Sequence, residues 1–171
     1  MISTSRHLAL DVQYQGNSAT AAGIVFPTWD AQMQSAHYTA HIDTVADYQP
    51  GHFYLRELPC LEKIIQQVGR PLTTIVIDGY VTLGDDQRPG LGMQLWRALG
   101  ESVPIIGVAK TPFQGTPSQA QLLRGTSKKP LFISCVGISL EEGKLCIASM
   151  HGEHRIPTLL KNVDRLCRHP K

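Results

Sequence analysis

The chain has no apolar run long enough to cross a bilayer, no C-x-x-C pair, no internal repeat and no low-complexity linker. A transmembrane helix needs about 20 apolar residues, so none is expected. The N-terminal MISTSRHLALD has no signal-peptide core. The four cysteines, Cys60, Cys135, Cys146 and Cys167, are scattered among apolar neighbours, which argues against a disulfide framework and for buried reduced thiols. Charge of one sign is also lacking: 16 Lys and Arg against 14 Asp and Glu leave +2. Bulk electrostatics therefore does not announce a nucleic-acid binder, and only a local basic patch stays open. Of the seven histidines, His37/His41 and His151/His154 are close in sequence, but neither pair has further ligands nearby to complete a zinc site. What is expected is a soluble cytoplasmic protein of 171 residues, folded as one domain over 1–171 with a sizeable core.

What is present reads as alternating elements. HLALDVQYQ and SATAAGIVF are apolar runs on either side of Gly16-Asn17, a hairpin signal. MQSAHYTAHI alternates and extends the meander as a third antiparallel strand. DYQPGHF is a loop. YLRELPCLEKIIQQVG has helical apolar spacing at Leu58, Leu61, Ile64, Ile65 and Val68 and closes on Gly69. Pro59 is expected in its first turn, where a missing N–H matters little, and this puts Glu57 at the helix N-terminus. LTTIVID is the fourth strand, GLGMQLWRALGE a helix ending near Gly100, and VPIIGVAK a fifth strand ending at Lys110. TPFQGTPSQAQLLRGTSKKP is loop or hairpin, with Arg124, Lys128 and Lys129 as its basic group. LFISCVG is another strand. SLEEGKLCIASMHG is ambiguous, because Ser139 can cap a helix that Gly143 weakens. IPTLLKNVDRLCRH is an amphipathic helix, basic on its polar face. This order predicts an α/β fold: a mixed central sheet, a three-strand antiparallel meander plus parallel strands, flanked by helices.

Three acids stand out against that frame. Asp11 interrupts an apolar strand between Leu10 and Val12, and a carboxylate there is costly unless paired or metal-bound. Asp78 ends the fourth strand and is followed by Gly79; ligands and catalytic groups collect at the carboxyl ends of strands in open sheets. Glu57 tops the helix leading into that strand. If the first and fourth strands are neighbours, the three converge at one end of the sheet. Like charges held close need a cation between them or raised pKa values. Magnesium takes carboxylates plus substrate phosphate, and such a site suits phosphodiester hydrolysis. Each acid also has a plain structural reading: Asp11 paired with a buried arginine, Glu57 at a helix N-terminus, Asp78 in an Asp-Gly turn.

The order of motifs resembles the endonuclease V (deoxyinosine 3′ endonuclease) family along nearly the whole chain. LDVQY is similar to the family's first-strand motif, YLRELPCL to its FRELP segment, VIDGY to its VDGHG strand end, and PIIGVAKT to its PTIGVAKS. RPGLG, ISLEEG and HRIPTLLKNVDRL resemble later segments. The resemblance implies a ribonuclease H-like fold and a nuclease of DNA repair that hydrolyses DNA or RNA near deaminated purines such as inosine. It implies a magnesium site, with manganese possible, at Asp11, Glu57 and Asp78, and a catalytic Lys110 facing the scissile phosphate. YQPG resembles the family wedge, so Tyr48, Gln49, Pro50 and Gly51 join Gly79, Tyr80 and Arg88 as nucleic-acid-binding candidates. The protein is expected to act as a monomer, with no membrane partner.

Four departures qualify this. The wedge, usually PYIP, keeps only Tyr48 and Pro50. The family's DGHG is here Asp78-Gly79-Tyr80-Val81, which adds bulk where a glycine makes room for the base. The family's histidine before ISLE is replaced by the stretch Cys135-Val136-Gly137. The chain also starts late relative to the family. Reduced or altered activity is therefore expected, and the alternative is a non-catalytic nucleic-acid-binding relative that keeps its metal ligands.

Overall fold

The computed structural model describes residues 5–45 and 54–170. The meander forms as the alternation predicts. β1 (His7–Gln15) and β2 (Ser18–Phe26) pair antiparallel across the two-residue turn Gly16-Asn17, with Gln15 opposite Ser18. β3 (Ala36–Ile42) adds antiparallel to β2. Then α1 (Tyr54–Val68) crosses over and delivers β4 (Thr74–Asp78) parallel to β1, with Leu10 opposite Ile77. A small ribbon of β5 (Thr82–Leu83) and β6 (Arg88–Pro89) precedes α2 (Leu91–Ala98). β7 (Ile105–Ala109) lies parallel to β4. A single 3-10 turn, Ser118–Ala120, leads to β8 (Gln121–Leu122), and β9 (Leu131–Val136) closes the sheet. α3 (Leu140–Ser149) and α4 (Thr158–Arg168) follow. The sheet has seven strands in the order β3-β2-β1-β4-β7-β9-β8. β9 runs antiparallel to β7. No α-helix separates them, only the short 3-10 turn and β8, and a parallel return usually takes an α-helical crossover.

The sheet is buried on both faces, and strand alternation divides its residues. Leu8, Leu10, Ile75, Ile77 and Ile105 pack with Leu61, Ile64 and Ile65 of α1 and Leu95 of α2. Ala9, Val76, Ile106 and Val108 pack on the other face with Ile147 of α3 and Leu159, Val163 and Cys167 of α4. Each fully buried aliphatic side chain contributes about 1.5–3 kcal/mol. The same alternation sets the chemistry. Asp11, two residues after Ala9, belongs to the α4 face, and so does Asp78, two after Val76.

Two local expectations are resolved or corrected. α3 is a helix: Ser139 Oγ accepts from Glu142 N–H at 3.1 Å and caps it, with Gly143 inside. Pro59 does not sit in the first turn of α1, because the helix begins at Tyr54 and the ring falls in the second turn. There it withholds the N–H that Leu55 O would otherwise accept. Glu57 nevertheless falls in the first turn. Among the described residues no helix is long and apolar enough to cross a membrane.

Candidate active site

β1 and β4 place Asp11 and Asp78 side by side at the carboxyl end of the parallel strands. Asp11 is 8% exposed, and its Oδ1 accepts from Val12 N–H at 2.8 Å. Asp78 is half-exposed, with Oδ2 4.0 Å from Lys110 Nζ at the end of neighbouring β7. Glu57 approaches from α1, on the opposite face. The Asp78 charge reaches both Asp11 and Glu57. Burial, then the Asp78 charge, raises Asp11 to about 7, while the Val12 N–H and the Lys110 ammonium oppose the rise. Burial, then Asp78 and Asp11, raises Glu57 to about 8. Asp78 is raised as well, by its own partial burial, with Lys110 pulling it back.

The convergence is looser than expected for Glu57 and tighter elsewhere. Among the described residues, the ligating side chains whose donor atoms close to within 4.8 Å as a set of three are Asp11, Asp164 and Cys167. Glu57 and Asp78 do not belong to that set. Asp164 comes from α4, its charge raises both Asp11 and Asp78, and its Oδ1 pairs with Arg168 Nε at 3.1 Å. Sequence reasoning passed over Asp164. The available signal was its place on the apolar stripe of α4, four residues after Leu160 and three before Cys167. The Cys167 thiol is buried and raised to about 12, so it holds its proton at neutral pH. The oxygen donors then come from the acids, which fit a hard divalent cation such as magnesium once their protons are displaced. A bound cation would offset the mutual repulsion that adds to burial in raising these pKa values.

A cleft of about 740 Å³ opens beside Glu57, Asp78 and Lys110, walled by Tyr14, Gly79, Tyr80, Arg88 and Phe113 among others. Gly79 has φ +140°, a region that L side chains rarely adopt, with open space where a Cβ would stand. The Arg88 guanidinium lies 5.7 Å from the Phe113 ring centre and 3.5 Å from Asp86 Oδ1. Tyr80 lines the cleft, but its hydroxyl is bound to the 111–113 loop. Val81 does not narrow the cleft. It is fully buried and faces α2, where any Cβ on Gly92 would meet its Cγ2 at 2.6 Å. The wedge candidates Tyr48, Gln49, Pro50 and Gly51 lie outside the described residues.

Two arginines, Arg155 and Arg124, hold the surrounding loops. Arg155 donates to Lys110 O and, at 2.8 Å, to Pro130 O, so it fixes the backbone at the end of β7. Arg124 is 4% exposed and donates to Met150 O at 2.5 Å and His154 O at 2.6 Å. It is part of the scaffold leading into α4 and does not join Lys128 and Lys129 in a surface group.

A family model described as Endonuclease V matches residues 4–165. The chain belongs to the endonuclease V family. An Endonuclease V of Streptomyces coelicolor is 28% identical over 188 residues, spanning 96% of this chain and 78% of the relative. The crystal structure of the Streptomyces avermitilis endonuclease V is similar, with a TM-score of 0.71 at 28% identity, covering 96% of this chain and 80% of that one. Ciona intestinalis endonuclease V, in complex with a 24mer DNA containing an inosine followed by a ribo-adenosine, has a TM-score of 0.77 at 18% identity, with 96% and 84% covered. A Marinitoga piezophila Argonaute in complex with guide RNA and target DNA shares the ribonuclease H-like fold over 97% of this chain and 30% of its own, with a TM-score of 0.55 at 8% identity.

Proposed function

We propose that this endonuclease V-family protein is a divalent-metal-dependent endonuclease that hydrolyses phosphodiester bonds next to an irregular nucleotide in DNA or RNA. The observation that carries the reading is the grouping of Asp11, Asp78, Glu57 and Lys110 at one end of the sheet, beside an open cleft. Asp11 and Asp78 would hold magnesium or manganese, with Glu57 and Asp164 completing the oxygen donors. The bound cation would supply Lewis-acid stabilisation of a phosphoryl oxygen and an activated water. Lys110 would place its ammonium against the scissile phosphate, a fixed positive charge where negative charge develops. In the free protein the same ammonium offsets Asp78. Arg155 would act as a positioning residue, anchoring the Lys110 carbonyl. Gly79, Tyr80 and Arg88 would wall the space for an extruded base, and Tyr48, Gln49, Pro50 and Gly51, which lie outside the described residues, would enter the gap it leaves.

Deaminated purines are the substrate class that the family suggests. The engaged Tyr80 hydroxyl supports altered base preference, and the closeness of Lys110 to Asp78, beside Asp11, supports retained catalysis. The described cysteines are free thiols, which supports action in a reducing compartment such as the cytoplasm, and the protein is taken to act as a monomer. The test is a cleavage assay on labelled DNA and RNA strands carrying inosine, xanthosine, uracil or an abasic site. Magnesium-dependent scission of at least one strand supports an enzyme. Tight strand binding with no scission in magnesium or manganese supports the non-catalytic alternative.

A further inference from the structure

The loop after β7 presents two backbone groups to the cleft, the carbonyl of Thr111 and the N–H of Phe113. An acceptor and a donor so placed complement a lactam edge, –NH–C=O. That edge distinguishes hypoxanthine, guanine and uracil from adenine and cytosine. Here the pair is already engaged. The Tyr80 hydroxyl donates to Thr111 O at 2.7 Å and accepts from Phe113 N–H at 3.0 Å. Phe113 N–H is shared with Thr116 Oγ1 at 3.1 Å. Other amides on the same wall are also committed: Gly79 N–H donates to Val108 O and Gly90 N–H to Val81 O. The Tyr80 ring meets Phe113 edge-on, with centroids 6.3 Å apart, so the hydroxyl is held by packing as well as by its two hydrogen bonds.

We propose that Tyr80 sets the base specificity of this cleft by filling, with its own hydroxyl, the backbone donor–acceptor pair that would otherwise read a lactam edge. The proposal rests on the cleft being the base-receiving site of the function proposed above. A base entering the cleft meets aromatic faces, with this backbone donor–acceptor pair already engaged. Stacking is tolerant of base identity, because every base has a π-face. The recognised feature is then the unstacked nucleotide, which is extruded most easily from mismatched or single-stranded nucleic acid.

The test is equilibrium binding, in calcium, of fluorescein-labelled single strands that differ at one central position: inosine, adenosine or an abasic site. The proteins are the wild type and Tyr80→Phe, which keeps the ring and loses the hydroxyl. The wild type should bind the inosine and adenosine strands within about twofold of each other and the abasic strand about tenfold more weakly. Tyr80→Phe should gain a preference of about fivefold or more for inosine, because Thr111 O is released and Phe113 N–H loses one of its two acceptors, keeping only the Thr116 hydroxyl that a base edge can replace. A wild-type preference for inosine of about tenfold or more overturns the proposal, and this arm stands even if the variant does not fold. A folded Tyr80→Phe with no gain in preference overturns it too. Equal binding of the abasic strand removes the base from the cleft and the proposal with it. No binding of any strand by the wild type instead overturns the underlying nucleic-acid reading.

Discussion

Asp11 and Glu57 are carboxylic acids held in surroundings that favour their protonated forms, and this has a sign that can be measured. In the unfolded chain both ionise near pH 4. In the folded, cation-free protein they hold their protons to about 7 and about 8. Raised values of this kind add stability that is full below pH 4 and is lost as pH rises through 7 and 8. His7 works in the opposite sense. Burial lowers its pKa, so its contribution is intact above about 6.5 and is lost as pH falls through its lower folded value. In EDTA, thermal melting should therefore fall by about 5 °C or more between pH 6.5 and 8.5, each kcal/mol being roughly 2–4 °C for a chain of this size. Asp11→Asn should flatten that fall, and magnesium or manganese should raise the melting temperature more at pH 8.5 than at pH 6.5. A flat wild-type profile would count against the buried acid cluster. Lys110 belongs to the same scale. Lys110→Met should slow single-turnover cleavage by about 10²–10³-fold, with strand affinity changed far less. An equal loss in binding and turnover would assign it to binding alone.

At the scale of elements, α4 carries more of the site than its sequence suggested. Its apolar stripe, Leu159, Val163 and Cys167, is buried against the β1 and β2 side of the sheet, and this packing brings Asp164 to Asp11. Leu159→Ala should cost about 2–5 kcal/mol in denaturant unfolding. Asp164→Asn should leave folding stability unchanged or raised, since it removes a charge that raises Asp11, while weakening manganese affinity. A stability loss comparable to that of Leu159→Ala would make Asp164 structural. Val81 is judged in the same way. Because it packs on Gly92 of α2, Val81→Gly should cost about 2–4 kcal/mol, through lost buried methyl groups and a freer unfolded chain. It should not widen the base cleft. Strand affinity that improves without a stability loss would return Val81 to the cleft wall. The sequence made the β1–β2 hairpin, the stripe of α1 and the apolar β4 legible, because each carries a local period or turn signal. The β5–β6 ribbon was missed because two-residue strands have no period to read. Pro59 was misplaced because packing of Leu61, Ile64 and Ile65 outweighs the lost hydrogen bond and lets the helix begin a turn earlier.

For the whole molecule, the strand order explains why acids far apart in sequence share one place. Inserting β4 between β1 and β7 sets Asp11, midway along β1, beside Asp78 and Lys110 at the ends of β4 and β7; Asp11 was legible as a charge interrupting an apolar strand, the other two as charges closing apolar runs. The contribution of α4 was not, because it depends on which face of the sheet that helix covers. Nor was the Tyr80 latch, because it joins two loops 31 residues apart in sequence, and no local pattern encodes such a bond. The central claim is that these acids support metal-dependent phosphodiester hydrolysis. It is tested most directly by single-turnover cleavage of a labelled inosine-containing strand, magnesium titrated from zero, by the wild type and by Asp78→Asn with matched circular dichroism. The account predicts scission that needs magnesium and is at least about 10²-fold slower in Asp78→Asn, since the substitution removes a charge and little volume. Scission by Asp78→Asn at the wild-type rate, or wild-type scission undiminished in EDTA, would contradict it.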